Sequence, residues 1–145
     1  MSEPRISARQ KRTVARRANN CCEYCWSQLK FSPDSFSVEH IIPRSAGGPH
    51  ILDNLAFSCQ GCNNRKYTST SAIDPATGET VPLFNPCQHE WMQHFAWNKD
   101  YSLLVGLSPT GRATIDKLQL NREGVVNLRI LLSGVGKHPP QRFSR

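Results

Sequence analysis

The sequence has no long apolar run. Nowhere does it contain the roughly 18 consecutive apolar residues that a membrane-spanning helix needs, so we expect no membrane partner. The start of the chain is charged and is not followed by the apolar segment of a secretory signal. We therefore expect a cytoplasmic location, where thiols stay reduced and disulfides are rare. No internal repeat is evident, and 145 residues are typical of one core with appendages.

Acidic residues are scarce. The chain has 18 Lys and Arg against 11 Asp and Glu, which gives a formal net charge of +7. Across the first twenty residues, Glu3 is the only acid among six bases. The pattern predicts a helix over residues 5–19, on which four arginines share one face: Arg5, Arg9, Arg12 and Arg16. This stripe predicts a polyanionic partner such as nucleic acid, with a solubilising basic helix as the alternative.

Because disulfides are rare in a reducing compartment, they are not expected to explain the six cysteines. Four of them form the two C-x-x-C pairs "CEYC" and "CQGC", which predict a structural zinc site of Cys22, Cys25, Cys59 and Cys62. We expect Gly61 to provide the tight turn of the second pair. A redox pair and a disulfide pair are the alternatives, and both fit a reducing compartment poorly. Cys87 has no partner at this spacing, and a packed or free thiol is expected there.

The chain between and after these pairs predicts a strand at 36–41 and a long Pro- and Gly-rich loop at 43–54. A second strand at 55–59 and a helix at 63–71 are predicted to follow. Residues 71–88 are expected to be irregular around the turn "DPATGE". Further on, the pattern indicates a hairpin of 94–98 with 101–107 and helices over 108–120 and 121–135. Ser108 is a predicted N-cap, followed by proline at the first helical position.

The segments "CEYC", "VEHIIPRSAGG", "LDNLAFSC" and "QGCNNRK" together resemble the HNH endonuclease family, in its zinc-bearing branch of the ββα-metal fold. The tail beyond residue 80 is similar to that of small stand-alone bacterial HNH proteins. The resemblance implies an α+β protein with a small ββα-metal core clipped by the four-cysteine zinc site. It also implies an N-terminal basic helix at 1–20, a nuclease core at 21–70, and a C-terminal hairpin with helices at 71–145, packed on the core.

The same resemblance implies the roles of four residues. His40 is the expected general base, and Glu39 and Asn63 the expected ligands of a catalytic divalent metal. Asn54 is the expected clamp of the loop that orients His40. Glu39 stands where the family more often has Asp, and Asn63 where it often has His. Because carboxylate and amide oxygens are hard ligands, the expected metal is Mg²⁺ or Mn²⁺.

The implied activity is metal-dependent hydrolysis of phosphodiester bonds in DNA, which we expect to be double-stranded. Arg44, Arg65 and Lys66 are additional candidates for phosphate contact, with a solvated surface position as the alternative for each. His50 lies in the loop, where a plain surface position is favoured and a contact with substrate is the alternative. A non-catalytic, zinc-dependent nucleic-acid-binding module is the main alternative function. Such a module would keep the four cysteines and the basic helix but would have no use for Glu39, His40 and Asn63 together. A redox or zinc-handling protein is a third alternative, which the buried pattern of the site disfavours.

Overall fold

The computed structural model describes residues 5–141. The ends of the expected 1–20 and 71–145 segments, residues 1–4 and 142–145, therefore lie outside the described residues. The helices are α1 (Ala8–Arg17), α2 (Gln60–Lys66), α3 (Trp91–His94), α4 (Pro109–Leu118) and α5 (Glu123–Gly134). The strands are β1 (Ser37–His40), β2 (Leu55–Ser58), β3 (Ser71–Ile73), β4 (Thr80–Pro82), β5 (Phe95–Trp97) and β6 (Leu104–Gly106). Three antiparallel pairs, β1–β2, β3–β4 and β5–β6, confirm the expected α+β class.

Helix α1 is shorter than the predicted span of 5–19. Ser7 is its N-cap and forms a capping box with Gln10, so the helix begins after Arg5. Val14 and Ala18 are buried against Val38 of β1 and the apolar residues of β2. The basic helix is thus attached to one face of the β1–β2 pair by a small core of its own. Within residues 5–141, no helix has the length and apolar character that crossing a membrane requires.

The β1–β2 pair carries the "VEHIIPRSAGG" segment at its open end. Glu39 pairs with Ala56 and His40 with Leu55. His40 is the last residue of β1, and the long loop to β2 begins directly after it. Neighbouring side chains on a regular strand point to opposite faces. Because β1 ends at His40, the chain can turn there, and Glu39 and His40 need not point to opposite faces.

Helix α2 begins earlier and ends earlier than the predicted span of 63–71. Cys59 is its N-cap residue, and its sulfur accepts a hydrogen bond from the Cys62 amide at 3.5 Å. The helix stops at Lys66 because Tyr67 has a positive φ of 48°. Because of this shift, Cys62 and Asn63 lie inside α2 and Cys59 caps it. One helix therefore carries the second cysteine pair and Asn63.

The expectation that residues 71–88 are irregular is wrong for part of this range, because β3 and β4 form a hairpin. The turn between them is held by Asp74, whose carboxylate accepts hydrogen bonds from Ala76 N at 3.0 Å and Thr77 Oγ1 at 3.0 Å. Arg112 of α4 makes a bidentate pair with the same carboxylate at 2.9 and 2.8 Å. This contact from far along the chain stabilises two short strands that are weak by themselves.

The remaining C-terminal predictions are confirmed. Strands β5 and β6 form the expected hairpin, and Ser108 caps α4 through a bond from Gly111 N at 2.9 Å. Arg129 of α5 is 3% exposed. It donates to the carbonyl oxygens of Cys25 at 3.2 Å and Leu120 at 2.8 Å, and it lies over the ring of Trp97. The C-terminal helices are therefore tied directly to the first cysteine pair.

Candidate functional site

Four cysteine sulfurs meet between the start of α2 and the turn at residues 22–25. The sulfurs of Cys22, Cys25, Cys59 and Cys62 lie within 4.8 Å of one another, and all four residues are buried. In the part of the chain that the structure describes, no other group of three or more His, Cys, Asp or Glu side chains is close enough to share a metal. The four residues that the two C-x-x-C pairs predicted are therefore brought together.

The spacing of these sulfurs fits zinc. A tetrahedral ion with Zn–S bonds of about 2.3 Å separates its sulfur ligands by roughly 3.8 Å, and the sulfurs of Cys25 and Cys59 are 3.7 Å apart. Hydrogen bonding from Cys22 lowers the pKa of the Cys25 thiol, whereas burial raises the pKa of the Cys22 thiol. Holding all four as thiolates requires a cation that displaces the remaining protons.

Arg122 lies against this cluster from the C-terminal part of the chain. Its guanidinium nitrogens are 3.4 Å from the sulfur of Cys59 and 3.6 Å from that of Cys62. A tetrathiolate zinc centre carries a net negative charge, which a guanidinium at this distance offsets. Gly61 makes the approach possible, because a Cβ there would lie 2.5 Å from an Arg122 nitrogen. The expectation that Gly61 forms a tight turn is thus wrong: it lies in the first turn of α2.

Asn54 closes the loop between β1 and β2. Its side chain is buried, its Oδ1 accepts from Ile42 N at 2.9 Å, and its Nδ2 donates to Ile42 O at 3.0 Å and Pro49 O at 2.9 Å. Gly48 packs against the same point, since a Cβ on it would lie 1.8 Å from Ile42 O and 2.9 Å from Asn54 Nδ2. These bonds fix the chain just after His40 and the residue that precedes His50.

Glu39, His40 and Asn63 line one pocket of about 370 Å³ between the end of β1 and α2. Glu39 is exposed to solvent, and His40 and Asn63 are half-buried. The four-cysteine cluster lies at the start of α2, where Cys62 directly precedes Asn63, while β1 pairing and the Asn54 clamp hold Glu39 and His40. The pocket offers a carboxylate oxygen, an amide oxygen and an imidazole, and the two oxygen donors suit a hard divalent cation.

Lys66 stands in the wall of this pocket and is only 5% exposed. Its ammonium donates to Ile41 O at 2.7 Å. Burial lowers the pKa of Lys66 to about 8, and the nearby Glu39 carboxylate opposes that shift. The solvated surface position considered for Lys66 is therefore wrong. The side chain instead ties α2 to the residue after His40.

His50 lies beside His40, whereas the sequence pointed to a role for His50 at the site only as the less favoured alternative. Its Nδ1 lies 2.9 Å from Nε2 of His40, although the sequence favoured an ordinary surface position. The two rings are 5.2 Å apart between centroids and are tilted by 50°. No local motif marks this pair, because ten residues separate its members. The one available signal was a histidine inside a loop whose two ends are held together.

The other basic candidates are exposed and do not line the pocket that holds His40. Arg9, Arg12 and Arg16 are exposed on α1, and Arg5 is exposed just before it. A groove of about 390 Å³ between α1 and β1 is lined by Lys11, Arg12 and Glu39, among others. Outside α1, Arg44 donates to Gly48 O at 2.8 Å and Arg65 to Gly61 O at 3.1 Å, and both are exposed.

The tryptophans of residues 91–97 pack against one another and against Trp26 beside the β5–β6 hairpin. Trp91 lies 4.4 Å from Trp26 and 5.8 Å from Trp97 between ring centroids. Cys87 is half-buried, with its sulfur 3.5 Å from a nitrogen of Arg17, and it takes no part in the four-cysteine cluster.

Residues 22–69 match the family model described as HNH endonuclease. The match covers about a third of the chain and includes both cysteine pairs, β1, β2 and α2. The chain therefore carries an HNH domain over these residues, as the resemblance indicated. No curated protein and no solved structure matches the chain.

Proposed function

We propose that this HNH-domain protein is a metal-dependent endonuclease that hydrolyses phosphodiester bonds of double-stranded DNA. The observation that carries the proposal is the convergence of Glu39, His40 and Asn63 on one pocket that is open to solvent. Each of the three is held by a different structural feature. The pairing of β1 with β2 holds Glu39, the Asn54 clamp holds the chain after His40, and the zinc-anchored start of α2 holds Asn63. A protein that only bound DNA would have no use for all three at one point.

In this proposal, Glu39 and Asn63 hold Mg²⁺ or Mn²⁺ through oxygen atoms. Two protein ligands are sufficient, because Mg²⁺ keeps several waters and takes further ligands from substrate phosphates. Such a cation supplies Lewis-acid stabilisation of the charge on the phosphoryl and leaving oxygens. Zn²⁺ in the four-cysteine cluster has a structural role, since four protein ligands leave no open position for substrate.

His40 acts on the attacking water. Its imidazole accepts a proton from the water as the water oxygen bonds to phosphorus. The bond from phosphorus to the leaving oxygen breaks, and that oxygen is protonated from solvent. An imidazole suits this task because it titrates near neutral pH. The tie between Lys66 and Ile41 O keeps the residue after His40 fixed against α2.

The basic face of α1 holds the DNA backbone in the same proposal. The groove lined by Lys11 and Arg12 reaches Glu39, so a strand held along α1 passes towards the pocket. Arg44 and Arg65 extend this charge on the other elements that border the site. Replacing Arg9, Arg12 and Arg16 by Gln should weaken binding to all DNA sequences alike and flatten its salt dependence.

Conversion of supercoiled plasmid by zinc-loaded protein in Mg²⁺ or Mn²⁺ tests the activity. His40→Ala should retain folding, zinc and DNA binding but lose about 10²–10⁴-fold in cleavage rate. Asn63→Ala should differ, with part of its loss recovered at higher Mg²⁺ concentration, because it weakens a ligand and leaves the base. Wild-type cleavage by His40→Ala would refute the site. DNA binding without any cleavage by the wild-type protein would favour the non-catalytic module.

A further inference from the structure

We propose that Tyr67 stacks on a DNA base at the site, and that the preferred substrate is a duplex with an unpaired base beside the bond to be cleaved. This inference rests on the proposed function and deepens it. Tyr67 lines the same pocket as Glu39, His40 and Asn63. It is 80% exposed, the largest fraction of any large apolar side chain among the described residues. Within residues 5–141, its ring contacts no other aromatic ring and its hydroxyl has no hydrogen-bond partner.

The backbone at Tyr67 has a conformation that glycine favours. Its φ of 48° and ψ of −121° are close to the second position of a type II′ turn, where Gly is the usual residue. Ser69 N donates to Lys66 O at 2.9 Å and closes this turn. Because a side chain is strained in such a conformation, the local structure gives no reason for a tyrosine here. An aromatic ring at the edge of the pocket therefore needs a functional one.

Hydrogen bonds on both sides hold this turn against the site. Tyr67 N donates to Asn63 O at 2.8 Å. Lys66, directly before Tyr67, is buried, and its ammonium donates to Ile41 O at 2.7 Å. The backbone of Tyr67 is thus fixed relative to α2 and to the end of β1. A ring that is presented from a fixed backbone loses less freedom when a ligand binds.

The position of Tyr67 relative to Asn63 suits one nucleotide. The two residues are four apart along α2 and its last turn, or about 6 Å along the helix axis. A phosphate at the Asn63 end of the pocket therefore leaves the attached nucleoside within reach of the Tyr67 ring.

The chemistry of stacking indicates which DNA fits. Every base has a π-face, so an aromatic side chain accepts any base that reaches it. In fully paired DNA the bases are stacked inside the duplex, and a protein must extrude a base to touch its face. Extrusion is least costly where the base is already unpaired. The ring therefore favours a duplex that contains such a base.

Three variants of Tyr67 and one control separate stacking from a structural role. Tyr67→Phe keeps the ring, whereas Tyr67→Ala removes it. Tyr67→Gly also removes the ring and suits the backbone of the turn, so unfolding cannot explain its defect. Tyr101→Ala is the matched control, because Tyr101 is 45% exposed and has a φ of 63° but does not line the pocket.

Binding to three fluorescently labelled duplexes of one sequence tests the inference. One is fully paired, one carries an extra unpaired base, and one carries an extra abasic nucleotide at the same place. The abasic duplex keeps the distorted backbone but has no base to stack. Fluorescence anisotropy with zinc-loaded protein, without added Mg²⁺ or Mn²⁺, gives each Kd, and zinc content shows that each variant is folded.

The wild-type protein should bind the duplex with the unpaired base most tightly. Its Kd should be lower than that for the abasic duplex by about 5- to 150-fold, the range for one base stacked on an aromatic side chain. Tyr67→Ala and Tyr67→Gly should bring this ratio close to one. Tyr67→Phe and Tyr101→Ala should keep most of it.

Equal wild-type affinities for the abasic and unpaired-base duplexes would overturn the inference. A wild-type ratio in Tyr67→Gly, or a ratio lost as fully in Tyr67→Phe or Tyr101→Ala as in Tyr67→Gly, would do the same. Plasmid cleavage in Mg²⁺ is measured separately. The expected ratio without any cleavage would support stacking and refute the nuclease, whereas cleavage with equal affinities would refute stacking and leave the nuclease.

Discussion

Removing the Asn54 clamp should cost both stability and activity. Asn54 is 3% exposed and makes three hydrogen bonds, one as acceptor and two as donor. A typical intramolecular hydrogen bond contributes about 0.5–1.5 kcal/mol. Asn54→Ala should therefore lower the free energy of unfolding by about 1.5–4.5 kcal/mol, and it should lower cleavage because His40 and His50 lose their common support.

Asn54→Asp makes the test sharper. It keeps the shape of the side chain and the acceptor for Ile42 N, but it replaces the donor to two carbonyl oxygens with a second carboxylate oxygen. A carboxylate oxygen facing two carbonyls is repelled by them, so Asn54→Asp should be at least as unstable as Asn54→Ala. Asn127→Ala on the exposed side of α5 is the matched control, and its stability should be unchanged or slightly higher because alanine favours helix.

Urea unfolding of the zinc-loaded variants measures the free energies, and plasmid cleavage under the same conditions measures activity. If Asn54→Ala unfolded at the wild-type urea concentration, the three bonds would contribute nothing, and the clamp would be refuted. If Asn54→Asp were as stable as wild type, the two donor bonds would be wrongly assigned. Full cleavage by a destabilised Asn54→Ala would show that the loop does not orient His40.

Other predictions concern the remaining supports of the fold. Cys59→Ser should release zinc and unfold the segment between the cysteine pairs, whereas Cys87→Ser should keep full zinc content by elemental analysis; equal zinc in both would refute the four-cysteine site. Gly48→Ala should be far more destabilising than Gly47→Ala, since a Cβ at Gly48 collides with Ile42 O and Gly47 has only its φ of +85° to accommodate; equal unfolding midpoints would contradict this. Asp74→Asn should lower the thermal midpoint at neutral pH. The bidentate arginine bond holds the pKa of Asp74 below its usual value, so its contribution is present above about pH 4 and is lost in acid, where the two midpoints should converge.

The local parts of the site could be predicted from the sequence because short-range spacing determines them. Two C-x-x-C pairs place two sulfurs each within reach of one ion, whatever the rest of the chain does. A strand that ends at a histidine and continues into a Pro- and Gly-rich loop is equally local information. The Ser108 cap and the hairpin of β5 and β6 follow from neighbouring residues in the same way.

The partners of these local parts were decided by the tertiary structure. His50 reaches His40 only because the Asn54 clamp folds the intervening loop back on itself. Gly61 lies where Arg122, sixty-one residues later in the chain, approaches two of the cysteine sulfurs. The turn between β3 and β4 is bound by an arginine of α4. Lys66 of α2 is buried, and its ammonium binds the carbonyl oxygen of Ile41. In each case the deciding contact joins residues far apart in sequence, and no pattern of neighbouring residues encodes which distant group will arrive.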